Sequence, residues 1–265
     1  MIEPSGDTLR YFMQLAYNGA PFHGWQRQPA DNSVQQAIEE AMATVMRLPQ
    51  VAITGAGRTD AGVNASMMIA HFDLPREKAI TAENEARILR GLNSLLAPDI
   101  VIYKIWQVHP EAHARFDAVS RSYRYYAHTL RSPFLGAMSW LAPANIDFEA
   151  MNRAAEILLT TEDFTSFSKL HTDVKTNICH VTHAAWRQLE PTRWVFEITA
   201  DRFLRNMVRA VVGTLVEVGR GKLTIDGFRE VIERRNRCAA GMSMPAGPLF
   251  LHEVKYPYYD PRSAD

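Results

Sequence analysis

A chain of 265 residues, 47% hydrophobic and 22% charged, can bury one large core or two smaller ones and has the composition of an ordinary soluble globular protein. Its 29 basic residues balance 29 acidic ones, so no global charge advertises a polyanionic partner. Two cysteines, Cys179 and Cys238, exclude a disulfide scaffold, and no apolar run is long enough to span a bilayer: MVRAVVGTLVEV is short and broken by Arg209.

The first residues, MIEPSGDTLR, lack a basic segment followed by an apolar one, so no signal peptide is expected and the cytoplasm is the expected compartment. Leu9, Tyr11, Met13, Leu15 and Tyr17 alternate along a half-buried strand. Ser33 followed by Gln36 reads as a capping box opening a helix, SVQQAIEEAMATVMRL, with Val34, Ala37, Ile38, Ala41, Met42, Val45 and Met46 on its apolar stripe. VAIT is a short strand, and after a glycine-rich loop Met68, Ala70, Phe72 and Leu74 mark another. A helix from about Ala82 to Leu96 and a strand from Ile100 to Val108 complete a β-α-β-β-α-β half of ferredoxin-like order.

The second half repeats the pattern. It predicts strands at Arg121–Thr129, Val181–Leu189, Trp194–Ala200 and Leu249–Tyr256, with EPTR as a hairpin turn. Its predicted helices are Phe148–Leu159, Arg205–Val218 and a short one at Phe228–Ile232. The fold class is therefore α+β: two ferredoxin-like halves, 1–108 and 109–265, with mainly antiparallel sheets flanked by helices. A cleft between them is the expected place for chemistry.

Four stretches do not fit simple core building. GAGRTDAGV (residues 55–63) is neither a dinucleotide fingerprint, because Asp60 stands at the third glycine position, nor a P-loop, because Val63 follows Gly62. Taken alone, TDAG is a turn in which Asp60 bonds its own backbone. In an extended segment, however, Arg58 and Asp60 point the same way. In RFLRNMVRAVVGTLVEVGRG, Arg209 projects about 20° from Val216 on the helical wheel, inside or beside the apolar arc. A guanidinium there needs an anion or must snorkel to solvent.

In RSYRYYAH, alternation puts Tyr123 and Tyr125 on one face, either as core or as a stacking surface for an unstacked base. HGWQRQ (residues 23–28) offers an aromatic, Arg27 and two amides in the same way. Basic residues gather locally: five Lys/Arg against two Asp/Glu between Asp201 and Lys222. Cys179, His180 and His183 lack a fourth ligand, so no metal site is expected.

Together these landmarks resemble the bacterial tRNA pseudouridine synthase A family over almost the whole chain. The matching segments are YNGAPFHGWQRQP, SVQQAIEEAM, GAGRTDAGV, AHF at 70–72, HARFDA, RSYRY, DFTSF, FLRNMVRAVVGTLVEVG and LFLHEVKYP. The resemblance implies a homodimeric isomerase with neither metal nor organic cofactor. Its substrate is tRNA, and it forms pseudouridine in the anticodon stem-loop, at positions 38, 39 and 40. It makes Asp60 the catalytic aspartate, Arg58 the residue that displaces and holds the target nucleotide, Tyr123 the residue stacked on the uracil, and Arg209 the ion-pair partner of Asp60. Arg27 and Arg205 are expected on the RNA.

Asn64, Met67, Met68, Ser122 and Pro248 depart from the family pattern, which has His, Gly, Gln, Arg and Gly near these places. The departures bear on RNA contacts and leave Asp60, Arg58, Tyr123 and Arg209 in place. Two other classes suit parts of the pattern: a non-catalytic RNA binder, which has no use for Asp60 and Arg209, and a glycoside hydrolase, which wants a second acid that the loop does not supply.

Overall fold

The computed structural model describes residues 7–29, 31–169 and 176–259. The chain packs into two units, one running to Val119 and taking up the chain again from Glu253, the other spanning Ser120–His252. The boundary read from the sequence lies at residue 108. The difference has a local cause in hydrogen bonds that hold residues 109–119 to the rest of the first unit. The Ala114 N–H donates to His71 Nδ1 (3.1 Å), the Tyr256 hydroxyl to the Ala114 carbonyl (2.6 Å), and the Val119 N–H to the Lys255 carbonyl (2.8 Å).

The first unit runs β1 (Thr8–Tyr17), α1 (Val34–Met46), β2 (Ile53–Gly55), β3 (Asn64–Pro75), α2 (Glu85–Leu96) and β4 (Ile100–Gln107). Strand β1 lies between β4 and β3, antiparallel to both, and β2 pairs antiparallel with β3. That is the ferredoxin-like order expected from the sequence. Ser33 caps α1 by accepting from the Gln36 N–H, but only half of the capping box forms, because the Gln36 side chain donates to Glu40 instead. The alternation of β1 holds in part: Tyr11, Met13, Leu15 and Tyr17 are buried and Leu9 half-buried, but Phe12 on the opposite face is fully buried as well.

The second unit runs β5 (Ser120–His128), β6 (Trp140–Leu141), α3 (Phe148–Ala155), β7 (Val181–Glu190), β8 (Arg193–Ala200), α4 (Met207–Gly219), α5 (Ile225–Glu233) and β9 (Leu249–Lys255), whose last residues belong to the first unit. Strand β5 lies between β9 and β8, and β7 pairs with β8 through the predicted hairpin. Several details differ from the sequence reading: α3 ends at Ala155 and a 3-10 turn over Glu156–Thr160 follows, where a helix to Leu159 is expected, and α5 begins at Ile225 and not at Phe228. The short β6, parallel to β5, carries no alternation to reveal it. Helix α4 starts at Met207 and not at Arg205, because Asn206 takes a left-handed φ of 66°.

A polar cluster organises the first unit beside its core. Arg10 grips Asp73 with two 2.8 Å bonds across the β1–β3 register and donates to the Ala112 carbonyl at 3.1 Å. His71, buried on β3, faces His113, with ring centroids 4.5 Å apart. Burial pushes the His71 imidazole down to about 4, and the charges of His113 and Arg10 add to the effect, while Asp73 and Asp117 oppose it. His113 is lowered too, chiefly by burial.

The sign follows directly. A ring that titrates near 6.5 when unfolded and near 4 when folded stabilises the fold fully above about pH 6.5 and progressively less as pH falls towards 4. The loss over that window is up to roughly 3 kcal/mol. Denaturant unfolding should therefore show stability falling between pH 6.5 and 4.5, with a shallower fall in His71→Gln. Equal slopes for the two proteins would remove His71 as the cause.

Candidate active site

Strand β2 delivers the chain into the loop at residues 56–63. The Ala56 N–H donates to the Ile69 carbonyl (2.8 Å), and the Val63 N–H closes a turn on the Asp60 carbonyl (3.1 Å). The turn conformation read from TDAG is thus present at the backbone level. Ala56 and Val63 are buried and anchor the two ends of the loop, and between them the fixing comes from the segment that follows β1.

The Tyr17 hydroxyl meets Thr59 Oγ1 at 2.9 Å, and the Trp25 N–H donates to the Thr59 carbonyl at 3.3 Å. The Gly62 N–H donates to the Phe22 carbonyl at 3.2 Å, and the Gly19 N–H to Asn64 Oδ1 at 2.8 Å. Gly24 has φ 90°, and any Cβ there would collide with the Thr59 carbonyl. YNGAPFHGW is therefore the brace of the GRTDAG loop.

The brace changes the meaning of several residues. Trp25 is not a base-stacking platform: it is buried, 6.0 Å from the Tyr17 ring, and its indole lies where a side chain on Gly55 would have to go. Gly55 thus serves packing, and Gly62 serves a left-handed φ of 76°. Gly57 has open space beside it, with nothing within 4 Å of an added Cβ. Asn64, one of the family departures, is buried and holds Gly19. Met68 is core, Ser122 bonds Thr199 across β5 and β8 at 2.8 Å, and the buried Pro248 accepts from the Tyr126 N–H.

Within the loop Asp60 is half-buried and Arg58 is exposed. Residues 57–63 form no strand, so the extended geometry that would align Arg58 with Asp60 is not imposed by a sheet. Arg27 is exposed on the brace and ion-paired to Glu39 at 3.2 Å.

In the second unit Tyr123 is half-buried on β5, with its ring edge-on to Phe203 at 5.0 Å. Arg205 is exposed just before α4. Arg209 does not simply snorkel: its Nε donates to the Met244 carbonyl at 2.6 Å, and the Met244 N–H returns to the Arg209 carbonyl at 3.1 Å. Thr214 accepts from the Gly241 N–H at 2.9 Å, so residues 241–244 lie along α4 and fix the arginine's stem. Sequence reasoning missed Tyr17, Thr59, Phe203 and Met244, because each acts on a partner remote in the chain.

Tyr125, two residues from Tyr123 and on the same strand face, is fully buried, and its hydroxyl has no hydrogen-bond partner among the described residues. Burial drives its phenol upward, and the charge of Arg209 pulls the other way. Among the described residues no group of three or more His, Cys, Asp or Glu could hold a metal ion. No helix of the described residues is long and apolar enough to cross a membrane.

Two substitutions test this geometry. Gly24→Ala should lower stability by about 1–3 kcal/mol through backbone strain and collision with Thr59, read as a fall in Tm. Tyr125→Phe should lose none of the roughly 1 kcal/mol that a bonded hydroxyl contributes, because this one is unpartnered. An unchanged Tm for the first, or a clear fall for the second, would contradict the geometry described.

Comparison with known proteins gives consistent matches. Residues 154–257 match the family described as tRNA pseudouridine synthase. The tRNA pseudouridine synthase A of Parabacteroides distasonis is 60% identical over 248 residues, covering 94% of this chain and 96% of the relative. That of Bacteroides thetaiotaomicron is 55% identical over 250 residues, covering 94% and 91%. That of Aeromonas hydrophila is 38% identical over 251 residues, with the same coverage of each chain. At these identities over nearly the full length, the chain belongs to the tRNA pseudouridine synthase A family.

Proposed function

We propose that this protein isomerises uridine to pseudouridine in the anticodon stem-loop of tRNA, at positions 38, 39 and 40, with Asp60 as the catalytic carboxylate. The observation that carries the reading is the GRTDAG loop, braced from outside and presenting a half-buried Asp60 in a chain of this family. The reaction breaks the uridine N1–C1′ bond, turns the base and joins C5 to C1′. N1 gains a proton and C5 loses one, so atoms and electrons balance without an oxidant, a reductant or a metal. A carboxylate can serve by attacking as a nucleophile or by assisting departure of the base.

The remaining roles follow from chemistry and exposure. The target base must leave the stem, at a cost of a few kcal/mol. Arg58, exposed beside Asp60, holds the displaced nucleotide. Tyr123, steadied by Phe203, stacks on the uracil, and Arg209 binds the substrate from a guanidinium whose Nε is fixed on Met244. Arg27 and Arg205, both exposed, contact the RNA backbone. We further propose that the protein works as a homodimer in the cytoplasm.

Unmodified tRNA carrying tritium at uracil C5 should release label to water when mixed with this protein alone. Chelator should leave the rate unchanged. Asp60→Asn, which keeps the shape but loses the charge, should reduce release by at least 10³-fold, on the scale of a lost nucleophile. No release from wild type would overturn the function, and release by Asp60→Asn at the wild-type rate would overturn the role of Asp60.

A further inference from the structure

The connection from β5 to β6 is an ordered loop with an apolar tip in water. Its base is fixed on several sides. The Thr129 N–H donates to the Thr192 carbonyl (2.9 Å), the Ala142 N–H to the His128 carbonyl (2.8 Å), and His128 Nδ1 meets Ser139 Oγ at 2.8 Å. Gly247 packs so closely on Ala137 that a Cβ there would strike its carbonyl. From this braced base Leu130, Phe134, Met138 and Leu141 face solvent, and Phe134 is 93% exposed. An ordered loop that displays so many apolar groups marks an interaction site.

The loop itself carries no acid. Residues 118–146 contain no Asp or Glu, and Arg131, exposed on the loop, makes no ion pair among the described residues. An open cavity of about 360 Å³ is lined by His128, Arg131, Ser132, Pro133 and Leu141. Arg193 stands opposite His128 in the β5–β8 register, and the Arg220 guanidinium lies 6.0 Å from the centre of the Trp140 ring. Both of these arginines are neutralised by an acid, Arg193 by Glu190 at 2.9 Å and Arg220 by Glu217 at 3.4 Å, so the unbalanced charge beside the apolar tip is that of Arg131.

We propose that this loop is a second RNA-docking surface, on which Phe134 stacks an unpaired base and Arg131 takes the adjoining phosphate. The proposal rests on tRNA being the substrate and extends the contact beyond the reacting nucleotide. An exposed ring, a free guanidinium and a cavity of nucleoside size are what single-stranded RNA recognition uses. The alternative occupant, a second copy of this chain on the same face, is disfavoured by charge. An isologous contact centred on the loop would bring Arg131 towards its own copy, with no acid from the loop to separate the two.

Binding of unmodified tRNA should be measured by fluorescence anisotropy from 50 to 300 mM salt, with thermal melts confirming that each variant is folded. Phe134→Ala should weaken binding about tenfold, the scale of one lost stack. Arg131→Ala should reduce the salt slope by about one. Tyr103→Ala, an exposed aromatic on β4, should leave Kd unchanged. Affinities of Phe134→Ala and Arg131→Ala within twofold of wild type would overturn the proposal. So would a Phe134→Ala protein that falls from dimer to monomer by light scattering with its tRNA affinity per subunit intact. Label release by wild type on the same tRNA, run in parallel, stands or falls with the tRNA reading and is independent of Phe134.

Discussion

A loop with three glycines and no apolar side chain larger than valine has little with which to hold itself, and its shape is imposed by neighbours. Here the imposition centres on Thr59, whose hydroxyl meets Tyr17 and whose carbonyl takes the Trp25 N–H and leaves no room for a side chain on Gly24. Each bond alone is worth on the order of 1 kcal/mol. Together with the Gly62–Phe22 bond they fix the backbone on either side of Asp60. Rigid support and open space are both needed if a displaced nucleotide is to meet a carboxylate in a defined position.

Most of the fold was legible because its physics is local. The alternation of β1, the stripe of α1 and the EPTR hairpin follow from side-chain periodicity, and β1, α1 and the β7–β8 hairpin appear where it places them. Helix α4 was read through an arc of valines, yet Ala210, Gly213, Thr214 and Val218 are buried as well. A helix enclosed on nearly all sides loses the contrast that periodicity reads, and Arg209 is one of its few residues that are not buried.

The site was legible in its residue types and not in its supports. Arg58 and Asp60 stand out on a bare loop, but nothing in the sequence shows that the YNGAPFHGW segment crosses some forty residues of chain to hold them. Trp25 shows the hazard: an aromatic beside Arg27 and two amides reads as a nucleic-acid contact, and burial makes it a strut. Asn64 shows the converse. A departure that bore on RNA contacts is a buried acceptor for Gly19. Tyr125 was readable as a strand tyrosine, but its unpartnered hydroxyl emerges only once β5 and α4 have their places. Such a group costs stability and adds no bond to the fold.

The central claim is that the braced Asp60 forms pseudouridine in the anticodon arm. Pseudouridine-specific sequencing of tRNA tests it most directly, using cells that lack this gene and carry either the wild-type gene or Asp60→Asn. The account predicts pseudouridine at positions 38, 39 and 40 with the wild-type gene and plain uridine at those positions with Asp60→Asn. Full modification with Asp60→Asn, or a wild-type gene that restores none of the three positions, would contradict it.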